Sequence, residues 1–164
     1  MSFRWSAFRA RLFVGVIALA AIACDAGLRE VVAGEDACRY CRMTIDDARF
    51  GALVKTDRGK IETFDSIECL ASFVSSLPAT SAPKGVWVAD FSRPSQWIHV
   101  DSARFVQTSS LKSPMGRELA AFGTDRSDAE LIQAYGGRVL DWRAVQSLVK
   151  STPFASSGAA SHAH

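Results

Sequence analysis

The sequence predicts an α+β domain made of two similar small halves, and three observations predict it. Short stretches that alternate apolar and polar residues, bounded by Asp, Gly and Pro, read as strands. Three segments with helical apolar spacing each follow a capping residue, which reads as a helix start. A strand–strand–helix order then occurs twice, on either side of a Ser/Pro/Ala-rich break from Ser75 to Gly85.

Taken in order, Arg49 to Thr56 alternates well enough for a half-buried strand, and Asp57-Arg58-Gly59 supplies a turn. Lys60 to Phe64 returns as the second strand of a hairpin. Asp65 with Glu68 three residues on has the pattern of a capping box, and the helix it opens buries Ile67, Leu70, Phe73 and Val74. After the break, Val86 to Phe91, Trp97 to Val100 and Arg104 to Gln107 read as extended. Ser113-Pro114-Met115-Gly116 is turn chemistry, and Leu119 to Gly123 a short strand. Ser127 with Glu130 caps a helix that ends at Gly136-Gly137, where glycine tolerates the left-handed C-terminal geometry. Arg138 to Leu140 is a strand, and Asp141 caps a last helix with Trp142, Val145, Leu148 and Val149 inward. The halves rhyme in detail: Ala52 to Arg58 parallels Ala120 to Arg126, and Phe64-Asp65 parallels Leu140-Asp141.

The ends of the chain carry a different message. Arg4, Arg9 and Arg11 precede an apolar run from Leu12 to Ala23, about 12 residues where a span needs about 20. That is a signal-peptide core, not a membrane helix. It closes on Ala21-Ile22-Ala23-Cys24, small residues before a cysteine, which marks Cys24 for lipidation. Without residues 1–23 the 19 basic residues fall to 16 against 17 acidic ones, a net charge of −1. No dense basic patch remains, so nucleic acid is not an expected partner. Residues 155–164 are low in complexity and read as disordered, with a His162-Ala-His164 end that could hold a metal loosely.

With Cys24 given to lipid, Cys38, Cys41 and Cys69 remain. An odd number in an oxidising compartment leaves a free thiol or sets the group aside for a metal. Cys38-Arg39-Tyr40-Cys41-Arg42-Met43 is the informative stretch, because Cu(I) is soft and prefers thiolate and thioether sulfur. If Cys41 and Met43 lie in extended backbone, their spacing of two turns both side chains to one face. Besides Met1 the chain has only Met43 and Met115, and Met115 sits in a Pro-Met-Gly turn, an unusual place for core filler.

Two other readings of the cysteines stay open. A thioredoxin-like pair, or a Cys38–Cys41 disulfide, wants its nucleophile at a helix N-terminus after a strand, and here Thr44 to Asp47 follow instead. A structural zinc site wants four ligands, and beyond the one CxxC only Cys69 and His99 offer themselves. Cys69, beside Leu70 on the apolar side of its helix, reads as a buried inert thiol. His99 reads as a partly buried strand residue, and Asp65 and Asp141 as helix caps. There is no Ser/His/Asp triad, phosphate loop or dinucleotide fingerprint, so an enzyme is not expected.

The chain resembles the NosL family, lipoproteins accessory to nitrous oxide reductase. The resemblance is carried, in the family's order, by Cys24 in its lipobox, CRYCRMTI from Cys38, RFGALV from Arg49 and FDSIECL from Phe64. VWVADF from Val86, Trp97-Ile98, SPMG from Ser113 and GGRVLDW from Gly136 continue it over nearly all of the mature chain. It implies a lipid-anchored periplasmic protein that binds Cu(I) and delivers it to nitrous oxide reductase or its assembly machinery. It also implies two small ββαβ-type units akin to the organomercurial lyase fold, copper ligands at Cys41 and Met43, and Met115 as a third. Cys38 and His99 are further candidates. Residue 42 is Arg where the family commonly has Gly, and residue 99 is His where an acidic residue is common. The expected organisation is a signal peptide over 1–23, a lipidated tether over 24–37, and a copper-binding domain over 38–150. Its halves run about 38–77 and 86–150, and 151–164 is a tail. The alternative from the residues alone is a periplasmic thiol–disulfide or zinc-binding module using Cys38 and Cys41.

Overall fold

A computed structural model describes residues 27–151. The expected signal peptide, the lipidation site Cys24, and the tail with His162 and His164 lie outside the described residues. Among the described residues, no helix is long and apolar enough to cross a membrane.

The first sheet contains β1 (Ala52–Lys55), β2 (Ile61–Phe64), β3 (Gly85–Asp90) and β4 (Arg93–His99), in the order β2-β1-β3-β4. Every pairing in it is antiparallel, with Ala52 opposite both Phe64 and Val88. The second sheet has β5 (Arg104–Gln107) between β6 (Leu119–Phe122) and β7 (Arg138–Leu140), again antiparallel. Among the described residues three α-helices complete the α+β fold: α1 (Ile67–Ser76), α2 (Asp128–Tyr135) and α3 (Trp142–Ser151). A backbone bond from Phe91 N to Ala121 O (2.8 Å) ties the end of the first sheet to β6. The α+β class is as expected, and both sheets are antiparallel, but the two halves pair their strands differently. β1 and β2 are neighbours in a hairpin, whereas β6 and β7 are kept apart by β5.

Most elements follow from local chemistry. The Thr56–Lys60 turn closes the first hairpin with Thr56 N to Lys60 O (2.9 Å), and Gly59 takes a positive φ of 84° that a side chain would strain. Ser127 and Glu130 form the expected capping box, and Asp141 Oδ1 accepts from Ala144 N (2.7 Å) at the start of α3. Ala52, Leu53 and Val54 are all fully buried, so β1 departs from simple alternation because both of its faces are covered. The expected strand from Arg49 begins later than its sequence suggests. Ala48–Phe50 form a 3-10 turn instead, capped by Asp47, whose side chain accepts from Arg49 N.

The core joins the two sheets. Helix α1 packs against α3 and lies over β1, β2 and β6. Leu53, Phe64, Leu70, Phe105, Leu119 and Val145 form its centre. Burying a side chain of this size stabilises the fold by about 1.5–3 kcal/mol. A smaller cluster of Phe50, Val106, Leu111, Phe122 and Leu131 lies under α2.

One correction positions the site. The cap of α1 is Ser66 rather than Asp65: Ser66 Oγ accepts from Cys69 N (3.1 Å). Serine and aspartate cap equally well, and shifting the cap by one residue frees Asp65 for another use. Glu68, expected to close that capping box, is instead fully buried.

Candidate metal centre

Residues 36–45 fold back on themselves as a small hairpin with the two cysteines at its tip. Ala37 bridges Thr44, Ile45 N donates to Asp36 O (2.8 Å), and Cys38 N donates to Met43 O (2.8 Å). Arg42 N donates to Cys38 O (3.0 Å), which tightens the tip into a knuckle. The hairpin is pinned to β2 from both sides of the strand's Thr63. Arg39 N donates to Thr63 O (2.8 Å), and Thr63 Oγ1 donates to Ala37 O (3.0 Å). Because Thr63 lies two residues before Asp65, this clamp brings the cysteines to the start of α1.

Four donors meet there. Cys38, Cys41, Asp65 and Cys69 each offer an atom, and all of these atoms lie within 4.8 Å of one another. All four residues are buried, the most exposed at 2%. The three cysteines are free thiols. The Cys41 thiol donates to Asp65 Oδ2 (3.3 Å), while Asp65 Oδ1 is buried with no hydrogen-bond partner.

The thiols are not equivalent. Cys38 is pulled down from 9.0 to about 6, first by a hydrogen bond from the Cys69 thiol and further by backbone N–H groups of Asp65 and Cys41. Burial opposes this but does not win. Cys41 is pushed up to about 12, chiefly by burial and then by the neighbouring Cys38, although the Met43 N–H favours its thiolate. Cys69 is raised as well, because it gives its hydrogen bond to Cys38 and is buried. Of the three thiols, Cys38 is thus the one whose thiolate the surroundings favour. Backbone N–H groups aimed at sulfur are the means by which a protein stabilises a thiolate before any metal arrives.

The expected extended run through Cys41 and Met43 does not occur. Arg42 has a φ of 68°, in the left-handed region, so the chain turns over between the two sulfurs. Cys41 is buried, whereas Met43 is 45% exposed. The thioether stands at the surface rather than inside the donor cluster. Met115 is partly buried and packs against the core that contains Cys38, Cys41 and Cys69. His99 lies elsewhere, at the end of β4. Its ring is edge-on to Trp87 at 5.8 Å, and its Nδ1 caps the next turn by accepting from Asp101 N (3.4 Å).

Sequence reasoning took Asp65 for a helix cap, and weighed Cys69 only as a fourth zinc ligand before reading it as an inert thiol; the structure puts both in the group. The signal was present: Phe64-Asp65-Ser66 offers two caps for one helix, and only one can be used. A helix starting at Ser66 puts Cys69 in its first turn, beside whatever the preceding strand delivers.

A groove of about 560 Å³ runs along the outer side of the knuckle, lined by Ala37, Cys38, Arg39, Arg42, Lys60 and Glu62. Its rim is mainly cationic, with Lys60 and Arg39 both facing Glu62 at 2.9 and 3.7 Å. Arg42 holds its left-handed turn at a cost of about 1 kcal/mol, which glycine does not incur. Arg42→Gly is therefore expected to stabilise the domain by about 0.5–1 kcal/mol, read as a higher urea midpoint with an unchanged slope. A lower midpoint would show that the Arg42 side chain contributes contacts that outweigh the backbone cost.

Comparison with known proteins places this geometry among relatives. The family model described as NosL matches residues 31–149. The crystal structure of the copper chaperone NosL from Shewanella denitrificans is similar to this chain with a TM-score of 0.58 and 25% identity. The match covers 71% of this chain and 93% of that one. The solution NMR structure of the apo-NosL protein from Achromobacter cycloclastes is also similar, with a TM-score of 0.40, 20% identity, and coverage of 56% and 82%. No curated protein matches the chain at a significant level.

Proposed function

This chain belongs to the NosL family, and from that premise we propose that it is a lipid-anchored periplasmic copper chaperone. It takes up Cu(I) as cargo and delivers it for maturation of the copper centres of nitrous oxide reductase. The observation that carries the reading is the convergence of three thiols at the knuckle, in a fold similar to that of a copper chaperone. Soft sulfur is the donor that Cu(I) prefers. Cys38, whose thiolate is the most favoured of the three, supplies the first bond, and Cys41 follows as its proton leaves. Met43, exposed beside them, offers a thioether at the surface where cargo enters and leaves. Met115, partly buried against the same core, is the proposed third sulfur. The anchor is the lipid on Cys24, exposed once residues 1–23 are removed.

A delivery site must release as well as bind. A buried thiolate pair with an exposed thioether next to it suits that need. A recipient's ligand can engage the ion from the Met43 side before the inner sulfurs let go.

The test is a Cu(I) titration of the full-length reduced protein against a competing chromophoric chelator, followed by mixing with apo nitrous oxide reductase. One Cu(I) per chain, and recovery of reductase activity with copper supplied only through this protein, are the expected results. Absence of stoichiometric Cu(I) binding would overturn the copper reading. Binding without transfer would overturn the recipient.

A further inference from the structure

The outer side of the knuckle, away from the buried donors, carries an uneven distribution of charge. Residues 27–151 hold 16 basic and 16 acidic residues, so this part of the chain is neutral as a whole. Elsewhere cations sit beside carboxylates of their own, as in Arg29–Asp36, Arg49–Asp47 and Arg104–Asp128. In the groove of about 560 Å³ the balance breaks: Arg39, Arg42 and Lys60 line it with a single carboxylate, Glu62. Glu62 is shared by Lys60 at 2.9 Å and Arg39 at 3.7 Å. The exposed guanidinium of Arg42 meets no carboxylate among the described residues.

Arg42 points to a use for that charge. Its φ of 68° costs an arginine about 1 kcal/mol that glycine does not incur. An outlier of this kind is a reason to look for function, and an exposed side chain offers charge rather than packing. Position and shape then say what the charge meets. Cys38 forms part of the groove wall, and the exposed Met43 follows Arg42 directly. Whatever gives or takes a soft ion at the knuckle must come against this surface. The groove is concave, a shape that a protruding loop fills and a flat lipid surface does not. The side chains of Arg39 and Lys60 are 40% and 70% exposed, so they act in water, where charge orients and speeds an encounter more than it tightens it.

We propose that the groove rimmed by Arg39, Arg42 and Lys60 is a docking surface for an acidic loop of the protein that exchanges cargo with this chain. Carboxylates of the loop pair with the three cations, and a soft ligand beside them is brought against Met43. The nature of the cargo rests on the copper reading; the docking itself needs no metal.

The experiment uses the full-length reduced protein without metal and two labelled peptides. One is rich in glutamate and carries a pair of methionines; the other has glutamine for every glutamate. The glutamate peptide is expected to bind about tenfold more tightly at low salt, and the difference should vanish at about 1 M salt, where charges are screened beyond about 3 Å. Arg42→Gly relieves the backbone strain, yet it should weaken the glutamate peptide about two- to fivefold, and adding Lys60→Gln should bring the loss to about tenfold. Glu62→Gln frees Arg39 and Lys60 and should act in the opposite direction, tightening binding about twofold. Equal affinity for the two peptides overturns the proposal, and so do Arg42→Gly and Glu62→Gln proteins that both bind like wild type. An Arg42→Gly effect seen with phosphatidylglycerol vesicles and not with the peptide assigns the surface to lipid and overturns it too. Cu(I) is titrated into the same preparations. Charge-selective peptide binding without Cu(I) binding sinks the copper reading and leaves the docking surface standing, and Cu(I) binding without charge selectivity does the reverse.

Discussion

Full-length protein carrying Cys41→Ser should bind Cu(I) at least about a hundredfold more weakly than wild type, a loss of about 3 kcal/mol or more. Cys41 stands at the centre of the donor group, with its thiol on Asp65 Oδ2 at 3.3 Å and Cys38 and Cys69 alongside. Serine keeps the hydrogen bond to Asp65 but removes the soft donor, so the fold should survive while the site fails. Met43→Ala should cost less, about tenfold, because its thioether is exposed and joins the buried sulfurs only from outside. pH separates the thiols. Cys38 is pulled down, by the hydrogen bond from Cys69, while burial pushes Cys41 up, so Cys41 is the thiol that must give up a proton to bind a metal. Wild-type affinity should therefore rise about tenfold per pH unit between pH 7 and 9, and Cys41→Ser should remove that slope. Chelator competition at several pH values reads both effects. A Cys41→Ser protein with wild-type affinity would show that the knuckle is not the copper site.

The fold was legible in the sequence wherever local chemistry decided it. The Thr56–Lys60 turn, the Ser127 capping box and the Asp141 cap each rest on a few adjacent residues, and each occurs as read. Where two local solutions compete, pattern alone could not choose. Asp65 and Ser66 are equally good caps; tertiary structure decided between them by using Asp65 on the sulfur cluster. The site was half legible. Cys38 and Cys41 announced themselves by spacing, but the geometry joining Cys41 to Met43 was misjudged because nothing local declares a left-handed φ at an arginine. The position carries that conformation because Cys38 N and Met43 O close the hairpin around it. The repeat was legible as a rhyme of residues and not as a rule of pairing. Whether β6 lies next to β7 depends on β5, which the aligned segments do not include.

Glu68→Ala should destabilise the domain by about 2–4 kcal/mol, since it empties a fully buried position and strands two donors. Glu68 Oε1 accepts from Ser113 Oγ and from Arg117 N (3.1 Å), and Ser113 Oγ in turn accepts from Glu118 N (2.9 Å). One side chain of α1, next to Cys69, thereby fastens the turn that carries Met115. Its Oε2 is buried without a partner, and burial raises its affinity for a proton above that of an ordinary glutamate, with the hydrogen bonds from Ser113 and Arg117 opposing only in part. The sign of the pH dependence follows. The folded protein binds this proton more tightly than the unfolded chain, so Glu68 favours folding most at pH below its ordinary value of 4.5. That contribution is lost as pH rises from there through the raised folded value. Glu68→Gln keeps a carbonyl oxygen for Ser113 and Arg117 but cannot ionise. Its stability should be flatter with pH, and it should exceed wild type on the alkaline side of the interval. Urea unfolding at pH 5, 6, 7 and 8 measures all three proteins. A Gln variant that keeps the wild-type slope would assign the pH dependence to another group, and an Ala variant as stable as wild type would show that the Met115 turn is held without Glu68.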